Sequence, residues 1–322
     1  MRLAIPRRSL IAGLAAMPAM AQAQPRGWPN RPVRIVIPSA AGGPLEVPGR
    51  FIAEALTTRL GQPFIVEARP GAGIAIGTRQ VIAATDQHTL LLVATAIAIQ
   101  PAVQPDAGFD PATDLLPVSL VSEASMGFMV RADSPIRDLA GLVAAAKAAP
   151  GRVTYGSSGN GTTTHMAAAL FGVKAGMTWQ HVPYRGQGQL ISGFLAGDVD
   201  VMSGDLATLL PHHREGRSRV IAVTAPQRVA LLPDVPSVTE IAPETGITIW
   251  FALFAPRNFP EEAMARLLPE ITALRGNATL AERMAAGGAQ LLMTGPTDLG
   301  QRVTRELPMW RQVVADAGIR PE

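Results

Sequence analysis

One local pattern recurs in this chain and limits its possible folds more than any other feature. A short apolar strand runs into a glycine-rich loop and then into a helical pattern, first at Val33–Ile37 with residues 40–44, and again at residues 153–155 with residues 156–161. In each unit the apolar strand must be covered by packed helices. The repetition therefore predicts two similar α/β lobes.

Further strands alternate with helices along the rest of the chain. Residues 89–95 form a continuous apolar run, which is typical of a strand buried on both faces. The alternation predicts doubly wound, parallel sheets with helices on both faces, and the residues from Glu261 onward predict three helices. The other predicted strands cover residues 64–68, 118–121, 127–130, 181–183, 199–203, 220–224 and 250–255.

Charge and cysteine content exclude several classes of protein. Residues 1–23 contain Arg2, Arg7 and Arg8 and no acidic residue, and the chain without them has 25 basic and 25 acidic residues. Since positive charge drives sequence-independent nucleic-acid binding, we expect no nucleic-acid partner. The chain has no cysteine, which excludes disulfides, thiolate metal sites and cysteine nucleophiles.

Residues 1–23 have the features of a secretory signal peptide. Basic residues precede an apolar stretch of about 11 residues, and small residues surround a predicted cleavage site after Ala23. A membrane span needs about 20 apolar residues, so we expect an exported, periplasmic protein rather than an anchored one. The pair Arg7-Arg8 leaves both a Sec and a twin-arginine signal open.

The two glycine-rich loops predict a binding site for an anion. Glycine lets the backbone approach a ligand closely, and the first turn of a helix presents unpaired N–H donors. Ligands of doubly wound sheets bind beyond the carboxyl ends of the strands, where these loops lie. A helix terminus contributes only about 0.3–1 kcal/mol to anion binding, whereas a micromolar Kd needs about 8 kcal/mol. Several direct hydrogen bonds and a closing cleft are therefore required.

Motifs for catalysis and cofactor binding are incomplete. Residues 71–77 resemble a dinucleotide-binding fingerprint with one residue too many, and no acidic residue ends the next strand. Residues 156–160 resemble a nucleophile elbow, but that motif requires glycine at position 160 or 155, and those positions are Asn160 and Tyr155. No histidine pair has the spacing of zinc hydrolases. We expect no enzyme, no cofactor and no metal.

Two further side chains have two interpretations each. His165, in the first turn of the second helix, either binds a ligand or holds the loop. Arg50, near the start of the first helix, pairs with an anion or, as we favour, forms a surface ion pair. We expect Trp250 and Trp310 to pack in the core.

Short motifs also follow one another in a specific order. They are WPNRPVR at 28–34, LGQP at 60–63, EARPGAG at 67–73, YGSSGNGT at 155–162, HVPYRG at 181–186, LPDVP at 232–236 and WFALFAP at 250–256. With these motifs, the chain resembles the Bug family of periplasmic solute receptors, which are associated with tripartite tricarboxylate transporters. The resemblance covers about residues 28–320.

The resemblance implies a fold like that of type II periplasmic binding proteins, in which two lobes close on a ligand like a Venus flytrap. Two crossing strands join the lobes, and we place them near residues 125–130 and 250–255. The expected domains are a signal peptide at 1–23, lobe 1 at 24–125 with 251–322, and lobe 2 at 126–250.

The resemblance also places the ligand in the loops between the lobes. The expected ligand-binding residues are Ser39, Ala41, Gly42, Gly43, Glu46, Thr95, Ala96, Ser157, Ser158, Gly159, Thr162, Thr163, His165 and Asp205. The family's first loop usually reads Gly-Gly-Gly-Thr-Asp, and here Pro44 removes a backbone donor and Leu45 removes a hydroxyl group. We therefore expect a less polar cleft, which favours a monocarboxylate or an aromatic acid over a tricarboxylate, although an uncharged ligand stays open.

These observations predict an exported receptor without catalytic activity. It is expected to be a monomer that captures a small organic acid and presents it to the membrane subunits of a tripartite tricarboxylate-type transporter. Ser158, Thr162, Thr163 and backbone N–H groups of both loops should hold the carboxylate. Two alternatives stay open: a ligand sensor that works with a sensor kinase, and an α/β enzyme of unrecognised type.

Overall fold

Strands and helices alternate through most of the chain, as the sequence predicts. The computed structural model describes residues 27–39, 45–286 and 288–319, so the signal peptide predicted at 1–23 lies outside the described residues. The strands are β1 (Val33–Ile37), β2 (Phe64–Ala68), β3 (Thr89–Ala94), β4 (Leu115–Ala124), β5 (Met126–Arg131), β6 (Thr154–Ser157), β7 (Gln180–Pro183), β8 (Val201–Asp205), β9 (Ser218–Val223), β10 (Ile249–Pro256) and β11 (Ala289–Leu291). The helices are α1 (Glu46–Leu60), α2 (Ala75–Ile82), α3 (Ala96–Val103), α4 (Pro111–Asp114), α5 (Leu139–Ala148), α6 (Thr163–Ala175), α7 (Gln187–Ala196), α8 (Leu206–Arg214), α9 (Glu261–Ala273), α10 (Ala278–Ala286) and α11 (Pro296–Asp316).

The strands form two mixed sheets rather than the predicted parallel ones. The first has the order β11-β4-β10-β3-β1-β2 and the second the order β7-β6-β8-β5-β9. β10 runs antiparallel to β3 and β4, and β5 runs antiparallel to β8 and β9. The prediction was wrong because β5 and β10 each enter their sheet from the other one. A strand that enters in this way has no helical crossover to make it parallel to its neighbours.

The chain passes between the two sheets twice. The first crossing is at Ser125, which separates β4 from β5. The return lies between β9 and β10, over residues 224–248, and so precedes the predicted crossing at 250–255, which belongs to β10. A hydrogen bond of 2.9 Å from Thr224 N to the Met126 carbonyl oxygen holds the start of the return beside the first crossing.

The strand β3 is buried on both faces, as its continuous apolar run predicts. Leu90 and Leu92 belong to one hydrophobic cluster, and Leu91 and Val93 belong to another. All four side chains are at most 1% exposed. The first sheet therefore lies between two apolar layers, with its loops at the edges.

Helix α6 connects the second sheet to the core of the first. Met166 and Leu170 of α6 pack in the same cluster as Ile97 of α3 and the two tryptophans Trp250 and Trp310. Both tryptophans are fully buried, which confirms their predicted core role. The glycine-rich loop that precedes α6 is therefore fixed close to the first sheet.

The C-terminal part has the three predicted helices, α9, α10 and α11, and one strand that was not predicted. β11 pairs antiparallel with β4 at the edge of the first sheet. Its three residues are too few to show an alternating pattern. In the described ranges, no helix has the length and apolar character that a membrane span requires.

Candidate ligand-binding site

Four of the predicted site residues lie where strands of the two sheets end. Ser39 follows β1, Thr95 follows β3, Ser157 ends β6 and Asp205 ends β8. Because β1 is parallel to β3 and β6 is parallel to β8, the carboxyl ends within each pair share one edge of their sheet. Residues 41–43 lie outside the described residues.

Hydroxyl groups of the loop between β6 and α6 bind the loop's own backbone. Thr162 is the N-cap residue of α6, and its Oγ1 accepts a hydrogen bond from His165 N at 3.3 Å. The same hydroxyl donates to the Gly159 carbonyl oxygen at 2.7 Å. Thr162 therefore shapes the loop in addition to any contact with a ligand.

Thr164 is a central residue of this loop that the sequence interpretation missed. Its Oγ1 accepts a hydrogen bond from Ser158 N at 3.2 Å. The same atom lies 2.9 Å from Ser158 Oγ and 3.0 Å from Thr162 Oγ1. The available signal was the run of three threonines at 162–164, whose middle member, Thr163, begins α6 and is buried.

His165 and His181 form a stacked pair beside the loop. Their ring centroids are 3.7 Å apart, and their planes differ by 6°. His165 Nδ1 accepts a hydrogen bond from Gly161 N at 3.1 Å, and His181 Nε2 lies 2.7 Å from Ser157 Oγ. His165 thus holds the loop, which is one of the two roles that the sequence left open.

Burial keeps both imidazole rings neutral at pH 7. It lowers the pKa of His165 to about 3, with a smaller contribution from His181. It also lowers the pKa of His181 to about 4. The stacked pair therefore has no positive charge with which to attract an anion.

On the first sheet, several predicted polar residues already have partners. Thr95 Oγ1 accepts a hydrogen bond from Trp250 N at 2.8 Å, and Ala96 begins α3. Glu46 begins α1 and forms an ion pair with Arg50 one turn later. This ion pair confirms the interpretation of Arg50 as a member of a surface pair.

Other polar atoms near the strand ends are unsatisfied. Of the ten buried side-chain atoms without a hydrogen-bond partner among the described residues, three are Ser39 Oγ, Gln187 Oε1 and Asp205 Oδ1. An unsatisfied buried polar atom costs about 1–3 kcal/mol, so each needs an explanation. Gln187, the first residue of α7, was not among the predicted site residues.

Asp205 differs from an ordinary helix-capping aspartate. It holds the N-cap position of α8 but makes no side-chain cap hydrogen bond. Burial raises the pKa of its carboxyl group to about 6. Ser203, on the same face of β8, donates to the Thr164 carbonyl oxygen at 2.7 Å. The Asp205 side chain therefore projects from the face of β8 that carries the start of α6.

The loop before α6 also touches the first lobe. Gly161 has a φ of 65°, and a Cβ atom added there would lie 2.9 Å from Val103 Cγ2 of α3. Glycine accommodates both the positive φ and the close approach. The loop and α3 are therefore in direct contact where the two lobes meet.

The described side chains do not favour a metal centre. Within residues 27–39, 45–286 and 288–319, no group of three or more histidine, aspartate or glutamate side chains could hold a metal ion. The unsatisfied groups at the strand ends are a hydroxyl, a side-chain amide and a carboxyl group.

The sequence is similar to a known family of receptors and to its curated members. The model of the family described as "Tripartite tricarboxylate transporter family receptor" matches residues 49–319. Protein BugT of Bordetella pertussis is 30% identical over 297 residues, which are 91% of this chain and 91% of BugT.

Solved structures have the same fold. A protein of R. palustris solved with adipate is 29% identical, with a TM-score of 0.79 over 92% of this chain and 100% of that one. MatC of Rhodopseudomonas palustris, solved with bound malate, is 28% identical, with a TM-score of 0.76 over 89% of this chain and 100% of MatC. The predicted two-lobed α/β fold of a periplasmic binding protein is confirmed.

Proposed function

The chain belongs to the tripartite tricarboxylate transporter family of receptors, and we propose that it captures a small organic acid between two lobes and delivers it to the membrane subunits of such a transporter. Lobe 1 would comprise residues 24–125 and 251–322, and lobe 2 residues 126–250. Each lobe contains one of the two sheets, so closure would bring the loops at their strand ends onto the ligand.

The unsatisfied polar atoms at the strand ends are the observation that supports this proposal most directly. Ser39 Oγ in the first lobe and Asp205 Oδ1 and Gln187 Oε1 in the second are buried without a hydrogen-bond partner in the described part of the chain. A bound ligand with donors and acceptors would satisfy them. Loop backbone N–H groups would supply the donors for its carboxylate.

The proposed ligand class is a small organic acid. The relatives solved with adipate and malate hold carboxylates, which supports this class. His165 and His181 are neutral at pH 7, so this stacked pair supplies no imidazolium for a second or third carboxylate. This favours a ligand with few negative charges, in agreement with the apolar substitutions Pro44 and Leu45.

The proposal includes export and delivery. Residues 1–23 would direct the chain to the periplasm by a Sec or twin-arginine signal and be removed after Ala23. The mature protein would act as a monomer, with a membrane transporter as its partner. A sensor kinase is the alternative partner: deletion of the transporter genes would abolish ligand uptake if the chain delivers its ligand, but would leave a ligand-dependent gene response intact if it is a sensor.

A serine hydrolase is the enzyme alternative with the nearest geometry, and the hydrogen bonds of Ser157 disfavour it. The Ser157 hydroxyl donates to the Gly159 carbonyl oxygen at 3.1 Å, and in that arrangement His181 Nε2, 2.7 Å from Ser157 Oγ, is the donor of their hydrogen bond. With its pKa lowered to about 4, His181 is also a weak base. The pair stabilises the loop.

A thermal-shift screen of organic acids tests the proposed binding function. A ligand at 100 times its Kd adds about 2.7 kcal/mol to the free energy of unfolding, which raises the Tm by several degrees. X-ray scattering with the best acid should show a smaller radius of gyration as the lobes close. An unchanged Tm with every mono-, di- and aromatic acid would contradict the proposal.

A further inference from the structure

Asp205 has hydrogen-bonding capacity that the protein itself does not use. It holds the N-cap position of α8, where an aspartate usually bonds the helix backbone and stabilises it, yet it makes no such bond. Its Oδ1 atom is buried and has no partner within the described ranges. The fold therefore gives up a cap and leaves a carboxyl oxygen unsatisfied at the same residue.

Aspartates of the second sheet are not unsatisfied in general, as the nearby Asp200 shows. Asp200 directly precedes β8, and its Oδ2 accepts hydrogen bonds from Thr154 N at 2.9 Å and Thr154 Oγ1 at 3.0 Å. The two aspartates stand at opposite ends of one strand. The one at the amino end is bonded to a neighbouring strand, and the one at the carboxyl end, where a ligand would lie, is not.

The unsatisfied atoms beside the end of β8 are hydrogen-bond acceptors. Gln187 Oε1 is the second of them, and it lies 3.2 Å from the position that a Cβ atom would take on Gly204, next to Asp205. An acceptor is satisfied only by a donor. A ligand carboxylate, which has no donor, would be repelled by the Asp205 carboxylate, so it must lie elsewhere in the cleft.

We propose that Asp205 determines which organic acids the cleft selects, by accepting a hydrogen bond from a hydroxyl or ammonium group of the ligand. The inference rests on the proposed function and makes it more specific. The ligand's carboxylate would bind the backbone N–H groups and hydroxyls of the loops. Its donor group would point toward the end of β8. The preferred class is therefore hydroxy or amino acids rather than the corresponding unsubstituted acids.

Matched pairs of acids test this preference by isothermal titration at pH 7.5. The probes are succinate with malate and aspartate, and benzoate with 4-hydroxybenzoate, each set differing only in the donor group. In the wild-type protein, the member with the donor should bind tenfold to a hundredfold more tightly, as expected for one hydrogen bond to a charged group. In Asp205→Ala this ratio should fall to about one, and in Asp205→Asn, which keeps an acceptor oxygen, it should be intermediate.

Asp200→Asn is the matched control, because it alters a carboxylate of the same strand whose partners are all within the protein. It should lower the Tm and leave the binding ratio unchanged. Equal affinities within each set, or a ratio that persists in Asp205→Ala, would overturn the role of Asp205 while leaving the receptor function standing. Absence of binding for all five acids would overturn the proposed function as well.

Discussion

Two groups of polar side chains differ in how completely they are paired. In the Arg302 cluster (Arg302, Glu123, Glu306, Thr248 and Trp250), the guanidinium bonds Glu123 at 3.0 Å, Glu306 at 2.8 Å and Thr248 at 2.7 Å. Trp250 Nε1 donates to the second oxygen of Glu306 at 2.9 Å. The cluster joins β4, β10, α11 and the return crossing.

The second group, here called the strand-end group (Ser39, Gln187 and Asp205), contains unpaired side-chain atoms. Its buried atoms have no hydrogen-bond partner in the part of the chain that the structure describes. A buried charge requires paired partners to be tolerated, and the Arg302 cluster supplies them within the protein. The Arg302 cluster is thus completed within the protein, whereas the three strand-end atoms would find partners only in the proposed ligand.

Of the variants that test this comparison, replacement of Arg302 should have the largest effect on the free energy of unfolding. Arg302→Met leaves Glu306, which is 4% exposed, without its cation, and we expect a loss of about 3–5 kcal/mol in the free energy of unfolding. Urea denaturation measures it. Arg305→Met, an exposed position on the same helix, is the control and should change stability by less than about 0.5 kcal/mol. Equal losses of stability in the two variants would remove the distinction between the paired Arg302 cluster and an exposed arginine.

Acid pH should lower the free energy of unfolding through the two stacked histidines, His165 and His181. Because the pKa of His165 is lowered from 6.5 to about 3, the unfolded chain binds protons more readily, and the free energy of unfolding falls as the pH decreases below 6.5. At pH 5 this amounts to about 2 kcal/mol for His165. Asp205 opposes the trend, since its pKa is raised from 3.8 to about 6, and the folded state binds its proton more readily in that window.

Urea titrations at pH 7 and pH 5 measure the net effect of the two histidines and Asp205 on the free energy of unfolding. His181→Gln, which can still donate to Ser157, should weaken the pH dependence, and Asp205→Asn should strengthen it. If neither variant changes the difference between the two pH values, the buried rings and the carboxyl group do not titrate as described.

The hydroxyl groups of the α6 loop should matter for binding more than for folding. Replacement of Thr162 and Thr163 together by alanine should weaken binding of the best organic acid from the thermal-shift screen by more than tenfold. The lost N-cap of α6 should lower the free energy of unfolding by about 1 kcal/mol. Thr162→Ser keeps the capping hydroxyl and is the control. An unchanged Kd in the double variant would place the ligand elsewhere.

A substitution at Gly161, where the lobes are in contact, should have the smallest effect on the free energy of unfolding. Gly161→Ala places a methyl group 2.9 Å from Val103 Cγ2 and requires alanine at a φ of 65°, so we expect a loss of roughly 1 kcal/mol. Adding Val103→Ala should restore the part due to contact and leave the backbone part. Thermal melts of the three variants separate the two contributions, and full recovery in the double variant would exclude backbone strain.

The sequence predicts the layers of this fold better than the directions of its strands. The apolar run of β3 shows burial on both faces, because hydrophobic pattern reports burial directly. β5 and β10 have the same apolar character in either direction, so nothing local distinguishes an antiparallel neighbour from a parallel one. The site follows the same rule. Thr162 is recognisable as a helix cap, whereas the contacts of Thr164 and the missing partner of Asp205 depend on residues that only the folded chain brings near.

The two crossings between the sheets restrict how the lobes can move. In the proposed closure, two adjacent connections would permit rotation about the line that joins them and resist torsion of one lobe against the other, so a single distance would describe the opening. Because the chain has no cysteine, one introduced pair at exposed positions, Thr58 on α1 and Ser192 on α7, would accept two fluorophores without background labelling. Energy transfer between them would then follow the opening angle of single molecules in real time.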